Sequence, residues 1–249
     1  MLEIIDVSKN FGGLIALDHV HLQLQPKKIY GLIGPNGAGK TTLFNLITGL
    51  LSVSGGTIHF QGQELTSLHS HQITRLGIAR TFQNIRLFPT MTVLENVLVA
   101  QNIHTRSGIM SLFQFKTETD KKLREEAETL LQEMGLWEKR KEISSSLAYG
   151  EQRRLEIARA LALEPSLLLL DEPAAGMNEA ETEELLDRIQ EIRSMGKTIF
   201  LIEHDMSVVM GICDHISVLN FGKLIAQGTP DEIQANESVI EAYLGREER

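Results

Sequence analysis

The sequence predicts an α/β fold in which a mostly parallel sheet is covered by helices on both faces and is interrupted by a helical insertion. Three observations predict it. Residues 29–33, 166–170 and 198–202 are short apolar runs, the pattern of strands buried on both faces. Helical segments alternate with them, the order that a parallel sheet with crossover helices requires. Residues 89–163 break the alternation and carry helical periodicity instead. A chain of 249 residues suits one large α/β domain or two small ones, and a 42% hydrophobic content supports a sizeable core. We read one domain over 1–249, with an α/β core from 1–88 and 164–249 and a helical part from 89–163.

The elements follow in order. Leu2 and Ile4 share one face of a first strand, with Asp6 next in phase, and Val20, Leu22 and Leu24 share a face of a second over 17–24. Residues 29–33 form a short apolar strand, and a helix is predicted over 40–50. Residues 57–60 read as a strand, with Gln61-Gly62 as its hairpin turn. In the insertion, helices are predicted over 92–100, 121–134 and 149–163. The second places Leu123, Ala127, Leu130, Leu131 and Met134 on one stripe. A loop is expected at 105–117. Beyond the strand at 166–170, Asn178 caps a helix from Glu179, with Glu181 completing a capping box. Strands follow at 198–202 and 216–219, with a helix start at 206–211 between them. Asn220-Phe221-Gly222 turns into 223–227. Thr229-Pro230-Asp231-Glu232 opens a last helix pair: threonine cap, proline in the first turn, glutamate at the third position.

The strongest chemical signal is the loop Gly34-Pro35-Asn36-Gly37-Ala38-Gly39-Lys40-Thr41 between the strand at 29–33 and the helix after it. Glycines let successive backbone N–H groups point at one spot, and the positive end of the following helix adds to that nest. The site suits the triphosphate of ATP with magnesium. Lys40 would reach the β- and γ-phosphates, the Thr41 hydroxyl would sit on magnesium, and Thr42 would donate to the α-phosphate. The strand before and the helix after distinguish the loop from a chance glycine-rich match.

Two further strands end in polar residues, at the sheet edge where α/β proteins place ligands. Leu167–Leu170 is followed by Asp171 and Glu172. Asp171 would hold magnesium, directly or through water, and Glu172 would polarise the attacking water; the alternative is a pair of solvated acids. His204 follows the strand at 198–202. It would contact the γ-phosphate and orient the water, or it is a surface histidine. His19 and His21 alternate on a strand, and His69 and His71 sit on a polar turn. Neither pair has a third ligand nearby in sequence, so no zinc site is expected.

The formal charge of −9 argues against a free-standing nucleic-acid binder. With Cys213 the one cysteine, no internal disulfide forms, in keeping with a reducing compartment. No signal peptide opens the chain, and the longest apolar runs fall far short of the ~20 residues a spanning helix needs. A soluble chain is expected, on the cytoplasmic face of the membrane if it has a membrane role, held there by a partner.

The phosphate loop, Gln83 in Arg80-Thr81-Phe82-Gln83, and Leu147-Ala148-Tyr149-Gly150-Glu151-Gln152 ahead of the acidic strand stand in the order seen in ABC transporter ATPases, and the chain resembles that family from Met1 to about Tyr243. The resemblance implies a P-loop NTPase core with a mostly parallel sheet, an antiparallel β subdomain and an inserted helical subdomain. It implies that Phe11 stacks on adenine, where a ring is all that stacking needs; the alternative is a core phenylalanine. Gln83 would touch magnesium and the water and report to the membrane-spanning permease subunits. Ala148, Tyr149, Gly150 and Glu151 belong to the signature that closes over ATP held by a second ATPase protomer, a copy or a relative, in a head-to-tail dimer.

Two departures stand out. The usual Leu-Ser-Gly-Gly-Gln has Ala148 for serine, Tyr149 for the first glycine and Glu151 for glutamine, and Asn178 replaces the usual aspartate after the acidic strand. Ala148 has no side-chain donor, so the trans contact falls to backbone N–H groups near Gly150 and to the helix N-terminus. An inactive site is one reading of such losses; Glu172, His204, Gln83 and Lys40 are all present and speak against it. Phe11-Gly12-Gly13-Leu14, Thr81-Phe82-Gln83-Asn84, Glu172-Pro173-Ala174-Ala175-Gly176-Met177-Asn178 and Ala242-Tyr243-Leu244-Gly245 are similar to the LivG-type ATPases of branched-chain amino acid importers. Such importers take substrate from a periplasmic binding protein, an indirect partner. Other cargo (urea, another amino acid, exported lipid) and a soluble ABC ATPase are the alternatives. The permease would dock over 84–92, including Arg86, unless that stretch is an ordinary exposed loop.

Overall fold

The computed structural model describes residues 1–101 and 118–244. The whole of the loop expected at 105–117, and Gly245, lie outside them. Among the described residues ten strands form two sheets. The antiparallel sheet contains β1 (Leu2–Phe11), β2 (Leu14–Leu24), β4 (Gly55–Phe60) and β5 (Gln63–Glu64), in the order β2-β1-β4-β5. The larger sheet has the order β10-β9-β3-β8-β7-β6 and contains β3 (Ile29–Ile33), β6 (Ile78–Arg80), β7 (Leu167–Asp171), β8 (Thr198–Ile202), β9 (His215–Asn220) and β10 (Lys223–Gly228). All its pairings are parallel except β9 with β10. The helices are α1 (Lys40–Ile47), α2 (Ser70–Arg75), α3 (Val93–Gln101), α4 (Glu118–Glu133), α5 (Tyr149–Leu161), α6 (Glu179–Ser194), α7 (Met206–Ile212), α8 (Pro230–Gln234) and α9 (Glu237–Leu244).

The apolar runs are explained by two cores, one on each face of the larger sheet. Ile29 and Ile33 of β3, Leu168 and Leu170 of β7, and Ile199 and Leu201 of β8 pack with α3 to α6. Tyr30 and Leu32, Leu167 and Leu169, and Phe200 and Ile202 face the opposite way, onto α1 and the antiparallel sheet. With side chains alternating across the strand, a strand covered on both faces has no polar face to show. Each fully buried aliphatic side chain contributes about 1.5–3 kcal/mol. Helix α1 fills the space between the two sheets with Leu43, Phe44 and Ile47. This wedge fixes where the phosphate loop sits.

Several expectations shift. The first strand's alternation breaks at Asp6, which adopts φ 57° in a bulge, and Val7 takes the buried place. His19 occupies the matching irregularity in β2, with φ 50°, and its Nδ1 lies 2.7 Å from Asp6 Oδ1. The first helix stops at Ile47, short of residue 50, because the chain turns at Gly49 with φ 65°. Helix α2 and strand β6 have no counterpart in the sequence reading. His69 is the N-cap of α2, its N–H bonded to Gln72 Oε1 at 2.9 Å, rather than part of a polar turn. The capping boxes at Asn178 and Thr229 form as expected.

Candidate nucleotide site

Because β3, β7 and β8 run parallel, their carboxyl ends meet at one edge of the sheet. The phosphate loop leaves β3 there. Gly34, Gly37 and Gly39 take φ 146°, 78° and 106°, conformations that only glycine adopts cheaply. At Gly34 the constraint is also steric: a Cβ would lie 2.0 Å from the Leu219 carbonyl oxygen. At Gly37 no neighbour lies within 4 Å, so conformation alone demands glycine. The turn between β9 and β10 braces the loop from behind, with Gly222 N–H donating to Ala38 O at 3.0 Å. Helix α1 begins with neither a side-chain cap nor an acidic residue in its first turn, so its positive end is not neutralised from within. Lys40 is buried, its Nζ donating to Gly34 O at 2.6 Å and Pro35 O at 3.1 Å. Burial pulls the ammonium's pKa down, while Glu172 and Asp171 oppose that pull.

A cleft of about 410 Å³ opens over this loop. Asn36, Gly37, Ala38, Gly39, Lys40, Thr41 and Thr42 form its floor, and Gln83 and Glu172 stand at one end. At the other end Phe11 is exposed and lines the cleft, with Lys9 Nζ 5.0 Å from its ring centre, so Phe11 is not a core residue. Leu14 and Ile15 widen this apolar end and are also exposed. The sequence reading missed both, although their placement after the Gly12-Gly13 turn was a usable signal.

Gln83 Nε2 donates to Glu172 Oε2 at 2.9 Å. Glu172 itself is strained, with φ 48°, and its N–H is bonded to Ile202 O at 2.9 Å. His204 Nδ1 lies 3.9 Å from Glu172 Oε2, at the rim rather than in the cleft lining. Buried Glu203 fixes the His204 backbone: it accepts from His204 N–H at 3.2 Å and Ala174 N–H at 2.9 Å. Burial raises the Glu203 carboxyl above the usual range, and those two N–H groups counter it. Asp171 also lies outside the lining. It is buried and paired with Arg80 at 2.7 Å, and Arg80 reaches on to Asn45 of α1 at 2.7 Å. The sequence reading quoted Arg80 without a role.

The signature residues stand apart from the cleft. Ala148, Gly150 and Glu151 line a separate hollow of about 180 Å³ with Glu181 and Glu184 of α6. Ala148 is the N-cap of α5 and makes no side-chain cap bond. Glu151 Oε2 accepts from Ala148 N–H at 3.1 Å, and Glu151 pairs with Lys139 at 2.7 Å. Gly150 is buried, and a Cβ there would lie 3.3 Å from Glu181 Oε1. Further along α5, three side chains grip the backbone around Gln83. Arg153 donates to Phe82 O at 2.6 Å and Gln83 O at 2.7 Å. Glu156 accepts from Phe82 N–H and Arg86 N–H, and Arg159 donates to Arg86 O. Burial raises the Glu156 carboxyl, and Arg153 opposes the rise. Outside this grip, Arg86 lies over the Phe82 ring at 4.0 Å, beside a cavity of about 360 Å³ that Phe88 and Arg159 also line.

Comparison with known proteins agrees with this geometry. A family model described as ABC transporter matches residues 17–175, and the chain belongs to that family, whose ATP-binding subunits are ATPases coupled to transport. Within the family it is of the LivG type. The high-affinity branched-chain amino acid transport ATP-binding protein LivG of Escherichia coli (strain K12) is 49% identical to it over 98% of each chain. A second family model, described as branched-chain amino acid ATP-binding cassette transporter, matches residues 223–249. Among solved structures, the ADP conformation of an ATP-binding cassette of an ABC transporter is 31% identical, covers 99% of each chain and superposes with a TM-score of 0.87. A dimeric cassette in a post-hydrolysis state, bound to ADP and Pi, is 25% identical over 92% of this chain and 99% of its own, with a TM-score of 0.79. Among the described residues no helix is long and apolar enough to cross a membrane.

Proposed function

We propose that this chain hydrolyses ATP in the cleft over the phosphate loop to drive an importer of branched-chain amino acids. The observation that carries the reading is the meeting of Gln83 and Glu172, 2.9 Å apart, at the end of a cleft floored by Lys40, Thr41 and Thr42. Lys40 leaves its loop carbonyls for the β- and γ-phosphates, Thr42 serves the α-phosphate, and the Phe11 ring takes the adenine. Glu172 polarises the attacking water, held by Gln83 on one side and His204 on the other. Thr41, Asp171 and Gln83 offer the hard oxygen donors that magnesium prefers. Asp171, one of whose carboxylate oxygens Arg80 occupies, would hold the ion through the other, directly or through water. When bound, magnesium neutralises charge on the phosphate oxygens.

The likeness to a dimeric cassette supports a head-to-tail pair in which Ala148, Tyr149, Gly150 and Glu151 cover the other protomer's ATP. The second protomer is a copy or a related ATPase. The two transporter family models support permease subunits as partners; a periplasmic binding protein acts indirectly, and no nucleic acid takes part. The chain works at the cytoplasmic face of the membrane. Residues 89–163 act as a helical subdomain on the core of 1–88 and 164–249. The permease docks over 84–92, where Arg86 and Phe88 are exposed beside the 360 Å³ cavity.

Glu172→Gln tests the chemistry. ATPase turnover should fall by about 10²-fold or more while ATP binding persists; unchanged turnover removes Glu172 from its role. Co-purification with the permeases and uptake across an amino-acid panel test the cargo, and uptake of urea or a lipid in place of branched-chain amino acids would redirect it. Charge reversal at Arg86 should uncouple transport from hydrolysis. Intact transport in that variant counts against docking at 84–92.

A further inference from the structure

Tyr149 stands where most family members have glycine, and its surroundings give the replacement a use. Its ring lies against the turn after the acidic strand: a Cβ at Gly176 would sit 3.4 Å from Tyr149 Cε1. Gly176 has φ 79°, so the turn keeps its shape cheaply only as glycine. The Tyr149 hydroxyl accepts from Arg153 at 3.3 Å. Arg153 is fully buried, and the nitrogen that reaches Tyr149 also donates to Gln83 O at 2.7 Å. The other terminal nitrogen is held by Phe82 O at 2.6 Å and Glu156 at 2.8 Å. From Gln83 the side-chain amide continues to Glu172 at 2.9 Å. The planar guanidinium is thus fixed at both ends, with little rotamer freedom left.

We propose that Tyr149 and Arg153 are positioning residues that tie this chain's signature turn to its own Glu172. A shift of Tyr149, on the face that covers the second protomer's nucleotide, moves Arg153, then the Gln83 backbone, then the hydrogen bond that aims Glu172. Closure over one nucleotide thereby sets the general base over the other. The inference rests on the hydrolytic reading of the cleft and adds to it a route between the two sites.

The test is steady-state ATPase kinetics on the full-length chain. Tyr149→Phe keeps the ring against Gly176 and removes the hydroxyl. With one neutral hydrogen bond lost from the relay, kcat should fall about 5-fold with KM for ATP held within about 2-fold. In a Gln83→Ala background the same substitution should add nothing, because the path to Glu172 is already cut. Arg153→Lys should lower kcat further than Tyr149→Phe, since lysine cannot span two carbonyls with a planar fork. Tyr149 is half-exposed, so its variant remains informative if the buried Arg153 variant does not fold. An unchanged kcat in Tyr149→Phe, or the same fold-loss with and without Gln83, overturns the relay. Wild-type hydrolysis and its loss in Glu172→Gln are the separate control: without them the underlying reading falls, and the relay with it.

Discussion

The phosphate loop and the signature turn are both loop-to-helix transitions, yet their shapes have different causes. The phosphate loop is shaped by missing atoms. Gly34 fits because nothing projects toward Leu219 O, and Gly39 because nothing projects toward Ala16 O. The signature turn is shaped by charged side chains from elsewhere in the chain. Lys139 holds Glu151, the side chain that accepts from Ala148 N–H, and Glu181 abuts Gly150 while completing the cap of its own helix with Asn178. Sterically determined turns tolerate no addition, whereas turns held by partners weaken in steps as partners are removed. On the proposed head-to-tail pairing, a nucleotide site built from one of each would have a rigid floor and an adjustable cover.

Four substitutions probe that contrast, beginning with the largest effect. Gly34→Ala introduces a Cβ 2.0 Å from a backbone oxygen at φ 146°. It should cost at least ~4 kcal/mol and abolish ATP binding, measured by urea unfolding and a fluorescent nucleotide. Arg80→Met tests whether the floor is purely steric. It leaves Asp171 buried without its cation, and unfolding should show a loss of about 3 kcal/mol. A loss near zero would mean that the floor depends on steric fit alone. Asn178→Ala removes the cap of α6 and loosens the support behind Gly150. About 1 kcal/mol is expected by the same measurement, with nucleotide binding to the phosphate loop unchanged. Lys139→Met removes a partly buried ion pair but leaves Ala148 N–H on Glu151, so thermal melting should fall only slightly. A large drop there would show that the signature turn leans on one partner rather than several.

The parts legible in the sequence are those whose causes are local. Strands β3, β7 and β8 read correctly because burial on both faces forbids polar residues, and the boxes at Asn178 and Thr229 read correctly because a cap is settled within four positions. Helix α2 buries Ile73 alone, too little to mark a stripe. Strand β6 ends in Arg80, which looks unlike a buried strand until Asp171 arrives from β7 across the sheet. Arg153 reads as the outer face of an amphipathic helix, because the carbonyls that hold it belong to residues 82 and 83. In each case the deciding partner is distant along the chain, and no window of sequence contains it. The glycine loop, Gln83 and Glu172 were visible as types; that they converge depends on the parallel order of β3, β8 and β7.

Glu172 carries one further consequence. Its φ of 48° is a conformation that glycine occupies at least cost. The backbone at this position therefore favours a residue with no carboxylate, while the proposed hydrolysis calls for one. Any search for sturdier versions of the protein would be drawn here toward Glu172→Gly, a change that relieves the turn and, on the proposed mechanism, silences the site. If the proposed role holds, durability and turnover pull in opposite directions at residue 172.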